Sequence, residues 1–254
     1  MKIKLADFVF EFEIKNKKLY SHCLERYEGF LTKESPDFKI SAETLALKKN
    51  PSEVRIISNQ ALEIKRGDFL FLLKEKKGCL KLRPSVYSFD SFLRIFSSFL
   101  SSKKDMALVH GALSEKDKIL YAFLGKSGAG KSTISKILKK KGFNILSDEL
   151  FFIRADKKNI KAYSSPFWGE MKGKGKYVRG KIKGLYFIKK SDINYKKDVD
   201  FSNFYPLFLR CLMNFSKEKK IVLSYLKTAR RIFRNSKPSF LFFSKKDNSF
   251  VKLL

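Results

Sequence analysis

The chain is 254 residues long and carries 55 Lys and Arg against 25 Asp and Glu, a formal net charge of +30. Its 44% apolar content and 26 phenylalanines supply ample material for a core, which excludes intrinsic disorder despite the charge. Thirteen glycines with no Gly-X-Y period and three cysteines exclude collagen-like and disulfide-scaffold classes, and the length allows one large domain or two small ones.

The first strong pattern is at 8–14, where Phe8, Phe10, Phe12 and Ile14 alternate with Val9, Glu11 and Glu13, the period of a half-buried strand. Asn16-Lys17-Lys18 follows as a predicted turn. Further short strands are predicted at 52–57, 61–64, 69–73 and 79–82, punctuated by turns at Gly67-Asp68 and at 75–78. Residues 1–85 therefore read as a small antiparallel β region without a chemical motif. Pro84 ends it, and Phe92, Leu93, Ile95, Phe96, Phe99 and Leu100 then recur at helical spacing, with Ser88 or Asp90 as predicted N-cap. A β-hairpin is predicted from 106–113 and 119–124 around a turn at 114–118. Later elements are a strand at 182–188, one or two helices across 207–233, and a last strand at 240–243 after Pro238. The predicted domains are thus 1–85 and 86–254.

Gly125-Lys126-Ser127-Gly128-Ala129-Gly130-Lys131-Ser132 fits GxxxxGK[ST] at every fixed position. The glycines let successive backbone N–H groups turn inward toward phosphate oxygens. Lys131 is placed to bridge the terminal phosphates, and the Ser132 hydroxyl to meet Mg²⁺. An apolar run precedes the motif, and helical spacing through Ile134, Ile137 and Leu138 follows it, so Thr133 opens a helix whose dipole favours an anion. Gly142 stops that helix, and a strand at 143–146 leads into Ser147-Asp148-Glu149. A strand–helix–strand crossover makes this strand parallel to the one before the loop, bringing Asp148 and Glu149 to the mouth of the phosphate site. Carboxylates there can hold Mg²⁺ or accept a proton from an attacking hydroxyl. A hairpin turning around Lys116 pairs His110 with Ala122, near the start of the loop at Gly125.

The basic excess has two readings. It is the footprint of a polyanion binder, or it reflects a composition drawn to Lys, Phe, Ile and Asn, with Lys at 44 against 11 Arg. From Phe167 to Gly184, Lys172, Lys174, Lys176, Arg179, Lys181 and Lys183 stand among five glycines, either a solvated loop or a cationic lid over phosphates. Cys23, Cys79 and Cys211 with His22 and His110 draw no zinc cluster. Asp7, Glu11 and Glu13 break any signal-peptide pattern, and the longest apolar candidate, 85–102, contains Asp90 and Arg94. The expectation is a reduced, cytoplasmic protein with no membrane partner. Nucleic acid is disfavoured because aromatic–Arg interleaving is missing, and GTP because no NKxD motif follows the loop.

Taken in order, His110-Gly-Ala, the run from Phe123 through Thr133, and Leu146-Ser-Asp-Glu resemble the catalytic domain of HPr kinase/phosphorylase. They resemble more closely the HPr-kinase-like proteins labelled as ATP-type phosphoenolpyruvate carboxykinases. Ser165-Pro-Phe-Trp-Gly-Glu170 is similar to a Thr-Pro-Phe-Trp-Gly-Glu segment of those relatives, and Pro238-Ser-Phe-Leu-Phe-Phe to their closing strand. The resemblance covers about residues 88–254. It implies an α/β fold of the HPr kinase/carboxykinase P-loop type, ATP and Mg²⁺ as cofactors, and phosphoryl transfer to a serine-type hydroxyl of a peptide, protein or small molecule. It makes His110 an active-site residue and divides the base and metal roles between Asp148 and Glu149. With Ser132 and Asp148, Glu170 joins the metal candidates on the resemblance alone. The chain departs from HPr kinases in its second acid, Glu149, in a Glu-Ile-Arg-Gly signature echoed only by Val178-Arg179-Gly180 and Lys183-Gly184, and in residues 1–85. Two alternatives stand beside a kinase: a nucleotide-binding module without catalysis, and a nucleic-acid-dependent ATPase. A homo-oligomer is left open.

Overall fold

A computed structural model describes residues 1–47, 53–171 and 175–254. It is a mixed α/β protein whose chain divides into two compact units, Met1–Leu100 with Asn214–Val222, and Ser101–Met213 with Leu223–Leu254.

In the first unit, strands β1 (Lys2–Leu5), β2 (Phe8–Ile14), β3 (Phe38–Thr44), β4 (Arg55–Ser58), β5 (Leu62–Arg66), β6 (Phe69–Lys74) and β7 (Lys77–Leu82) form one sheet in the order β1-β2-β3-β7-β6-β5-β4. The alternation at 8–14 is β2 itself. The sheet is mixed rather than antiparallel, because β2–β3 and β3–β7 are parallel pairs. Parallel neighbours need a crossover connection, and helix α1 (Lys17–Arg26) begins it. Asn16 is accordingly no turn residue: its side chain accepts from the Leu19 N–H at 2.9 Å and caps α1.

Helix α2 (Val86–Ser101) starts earlier than its apolar spacing predicts, so Ser88 and Asp90 lie inside it rather than capping it. Its phenylalanines pack on the sheet: Phe92 lies 4.7 Å and Phe96 4.8 Å from Phe71, and Phe89 lies 4.8 Å from Phe12. This packing joins α2 as far as Leu100 to the first unit, whereas a boundary at 85 assigns it to the C-terminal domain. Buried Asp90 is fully used there. It accepts from the Tyr27 hydroxyl at 2.6 Å and from Arg26 and Arg94 at 3.3 Å each. Burial, reinforced by that carboxylate, pushes the Tyr27 hydroxyl well above its ordinary value.

The second unit contains β8 (Met106–Lys116), β9 (Ile119–Leu124), β10 (Asn144–Ser147), β11 (Leu150–Ala155), β12 (Ile160–Tyr163), β13 (Arg179–Lys190), β14 (Tyr195–Asp198) and β15 (Ser239–Phe243). Two long strands organise it. The first half of β8 pairs with β11 and its second half with β9 and β10; β13 pairs successively with β12, β9 and β15. Strands β9, β13 and β15 run parallel, so their carboxyl ends share one edge. Helix α3 (Lys131–Lys140) buries Ile134 and Leu138 against Phe123, Tyr186, Leu241 and Phe243. Helices α4 (Phe201–Cys211) and α5 (Lys219–Asn235) replace the one or two helices expected across 207–233. Among the described residues, no helix is long and apolar enough to cross a membrane.

Truncating Phe92, fully buried against three aromatic neighbours from the sheet, should destabilise the first unit by about 3–5 kcal/mol. Leu72→Ala, at a side chain 40% exposed, should cost far less. Urea unfolding of both variants checks the contrast.

Candidate phosphate site

The site is built around β8. The β8–β9 hairpin turns at Asp117-Lys118, both at positive φ, and not around Lys116. Its register therefore sets Gly111 opposite Leu124 and Leu113 opposite Ala122. His110 consequently comes one step beyond the Gly111–Leu124 pair, level with Gly125 and not with Ala122. On its other edge β8 pairs His110 with Leu150 of β11, and the Gly111 N–H donates to the Glu149 carbonyl at 2.9 Å.

The strand after α3 runs as expected with respect to β9. Strand β10 is antiparallel to β8, and β8 is antiparallel to β9, so β10 and β9 point the same way with β8 between them. Asp148 and Glu149 form the bend linking β10 to β11 along one edge of β8, while the loop 125–130 leaves β9 on the other. Gly111 has to be glycine for these arms to close. A Cβ there would lie 2.7 Å from the Phe151 ring, 2.8 Å from Leu124 Cδ2 and 2.8 Å from the Phe123 carbonyl.

The loop and helix match the expected strand–loop–helix order. Gly128 (φ 77°) and Gly130 (φ 106°) adopt backbone conformations that disfavour side chains, and Gly130 is the N-cap of α3. Lys131 is buried, 7% exposed, and donates to the carbonyls of Gly125 at 2.8 Å and Lys126 at 3.0 Å. Burial draws its ammonium below the ordinary lysine value. The buried Cys211 thiol is pushed up by burial, against the opposing pull of the Gly125 N–H and of Lys131.

One cavity of about 330 Å³ gathers most of the expected residues. Ser127, Gly128, Gly130, Lys131, Ser132 and Thr133 line one side. His110, Asp148, Glu149, Gly169 and Glu170 line another. Gly125, Lys126 and Ala129 do not line it; the first two hold Lys131 through their carbonyls. The buried Asp148 carboxylate accepts from the Gly169 N–H at 2.9 Å and the Met171 N–H at 2.8 Å, fastening the segment that carries Glu170. Glu170 itself is exposed and lies 3.7 Å from the Lys136 ammonium.

Among the described residues, no group of three or more His, Cys, Asp or Glu could hold a metal ion. The donors that do share the cavity, a hydroxyl and carboxylates, are the hard oxygen ligands Mg²⁺ accepts when phosphates and water complete its shell. Asp148 retains lone pairs for this purpose beside its two backbone bonds.

Two lining residues escaped the sequence reading, Lys136 and Lys190. Lys190 ends β13, and only the parallel pairing of β13 with β9 brings it over the loop. The alternation of a strand separates it from Lys189, whose ammonium lies 4.0 Å from the centre of the Phe240 ring. The lysine-rich lid fares differently. Arg179, Lys181 and Lys183 belong to strand β13, exposed between inward-facing neighbours such as Ile182. Lys172 and Lys174 lie outside the described residues, and none of these cations lines the cavity.

No protein-family model and no curated protein matches the sequence. Among matching solved structures is the Hpr(Ser) kinase/phosphatase from Coxiella burnetii, 10% identical, matched over 51% of this chain and 99% of that one, with a TM-score of 0.25. A superposition this loose fixes neither fold family nor activity.

Two glycines separate steric from conformational cost. Gly111→Ala should destabilise by about 1–3 kcal/mol through overpacking and displace the loop from the carboxylates. Gly128→Ala meets no atom within 4 Å and should cost only its backbone strain, about 1–2 kcal/mol. Denaturant unfolding resolves the stabilities, and phosphate titration reads the site.

Lys131 gives a pH signature. Its native pKa lies below the unfolded value, so between the two the unfolded chain binds more protons and stability rises with pH. The stability of the parent relative to Lys131→Met should therefore shift in the parent's favour as pH climbs from neutral toward 10.5. A flat difference in paired urea titrations would contradict the buried ammonium.

Proposed function

We propose that this chain is a Mg²⁺-dependent phosphotransferase of the HPr kinase/carboxykinase type, using ATP to phosphorylate a serine-type hydroxyl on a peptide, protein or small molecule. The observation that carries the reading is the convergence of Lys131, Ser132, Asp148, Glu149 and His110 on a single cavity beside a glycine-bearing strand–loop–helix.

In this reading the loop amides and the α3 N-terminus hold the β- and γ-phosphates, and Lys131 exchanges its carbonyl partners for phosphate oxygens. Its burial favours that exchange, because a dehydrated ammonium interacts strongly with an arriving anion. Ser132 and Asp148 would hold Mg²⁺, which when bound offsets phosphate charge. Asp148 is already committed to the Gly169 and Met171 amides, which leaves Glu149 as the better general base. Glu149 accepts the proton of the acceptor hydroxyl as its oxygen bonds to the γ-phosphorus, and the bond to the β-phosphate oxygen breaks to release ADP. His110, level with Gly125, orients the transferring group.

Transfer of labelled γ-phosphate to serine peptides or free serine tests the proposal. Glu149→Gln should bind Mg·ATP with near-parental affinity while losing about 10²–10⁴ in transfer rate. Lys131→Ala should lose binding itself. Trp168, the one tryptophan of the chain, adjoins the Gly169 amide held by Asp148 and serves as a fluorescent reporter of binding. Undiminished transfer by Glu149→Gln would remove the assigned base. Parental ATP turnover by Lys131→Ala would remove the phosphate assignment.

A further inference from the structure

A second cavity, of about 340 Å³, opens beside the first and shares Lys190 with it. It sits at the carboxyl ends of β13 and β15, where Lys190 pairs in register with Phe243, as the glycine-bearing loop sits at the carboxyl end of the parallel β9. Ligands of α/β sheets bind along such a carboxyl edge. The partition between the cavities is thin. A Cβ on Gly130 would lie 2.7 Å from Phe243 Cζ and 3.7 Å from Lys190 Cε, so both residues pack directly against the turn into α3.

The walls of this cavity are fastened. The Ser191 N–H donates to the Phe243 carbonyl at 3.0 Å. Asn194 accepts from the Ser244 N–H at 2.7 Å and donates to the Asp247 carboxylate at 2.9 Å and the Ser249 hydroxyl at 2.9 Å. The turn after β13 and the turn after β15 are thereby held together, leaving Asp192, Lys245 and Lys246 to line the opening. Asp192 is its one acidic side chain among the described residues. A lone carboxylate among lysines next to an anion site is poorly suited to more phosphate. It is well suited to accept hydrogen bonds from a pair of neutral hydroxyls, as carboxylates do from ribose.

We infer that this second cavity is a nucleoside subsite, in which Asp192 binds the ribose hydroxyls of a nucleotide whose phosphates lie in the first cavity, with Lys190 between the two. This rests on the phosphate-site reading and extends it: the ligand is a ribonucleotide and not an inorganic polyphosphate.

Calorimetric titrations of the full chain with Mg·ATP, Mg·2′,3′-dideoxy-ATP and Mg·tripolyphosphate test it, using ligands of comparable charge so that the +30 field cancels. The parent should bind ATP about tenfold more tightly than either other ligand. Asp192→Ala should collapse that preference to within about twofold while still binding tripolyphosphate. Equal affinities of the parent for all three ligands, or an ATP preference that survives Asp192→Ala, would overturn the subsite while leaving the phosphate site standing. Binding of none of the three would overturn both.

Discussion

At Gly111 the backbone of β8 is engaged on both edges at once, opposite Leu124 on one side and bonded to the Glu149 carbonyl on the other. The loop that begins at Gly125 and the acids at 148–149 are therefore one strand's width apart, and the absence of a Cβ lets Phe151 and Leu124 close over the same point. The common mouth of the cavity depends on this register. A slip of one residue along β8 would turn its side chains to the opposite face and carry His110 away from the loop.

Around that frame the electrostatics are arranged in advance of any ligand. Lys131 is held in a buried position by two carbonyls, and Asp148 by two amides, so the two charged groups nearest the loop are oriented without pairing to each other. Such commitments cost stability in the empty protein and spare reorganisation when an anion arrives. The high positive charge of the chain contributes at longer range, drawing in polyanions but screened within roughly 8–10 Å by salt. Selectivity thus falls to the few side chains inside the cavities.

Local patterns in the sequence were sufficient for much of this. Strand β2 and the apolar stripe of α2 were legible from period alone, and the loop from its glycines and lysine. What was not legible depended on partners distant in sequence. Asn16 looks like a turn residue until the α1 crossover is known, and Asp90 looks like a cap until Tyr27 and the two arginines are found around it. Lys190 carries no local signal separating it from Lys189; only the neighbour of β13 does so. His110 was found near the loop, but through a hairpin turned at the wrong residue, because positive φ at Asp117 and Lys118 is not written in a Glu-Lys-Asp-Lys run.

The central claim is that the loop after β9 and the acids after β10 form one phosphate-binding site. Amide hydrogen exchange with and without saturating Mg·ATP tests it most directly, because it reads the backbone groups expected to hold the phosphates. The account predicts slowed exchange at 126–132 and at the Asp148-bound amides of Gly169 and Met171, with little change across β1–β7. Unchanged exchange across 126–132 while calorimetry shows the nucleotide bound would contradict it.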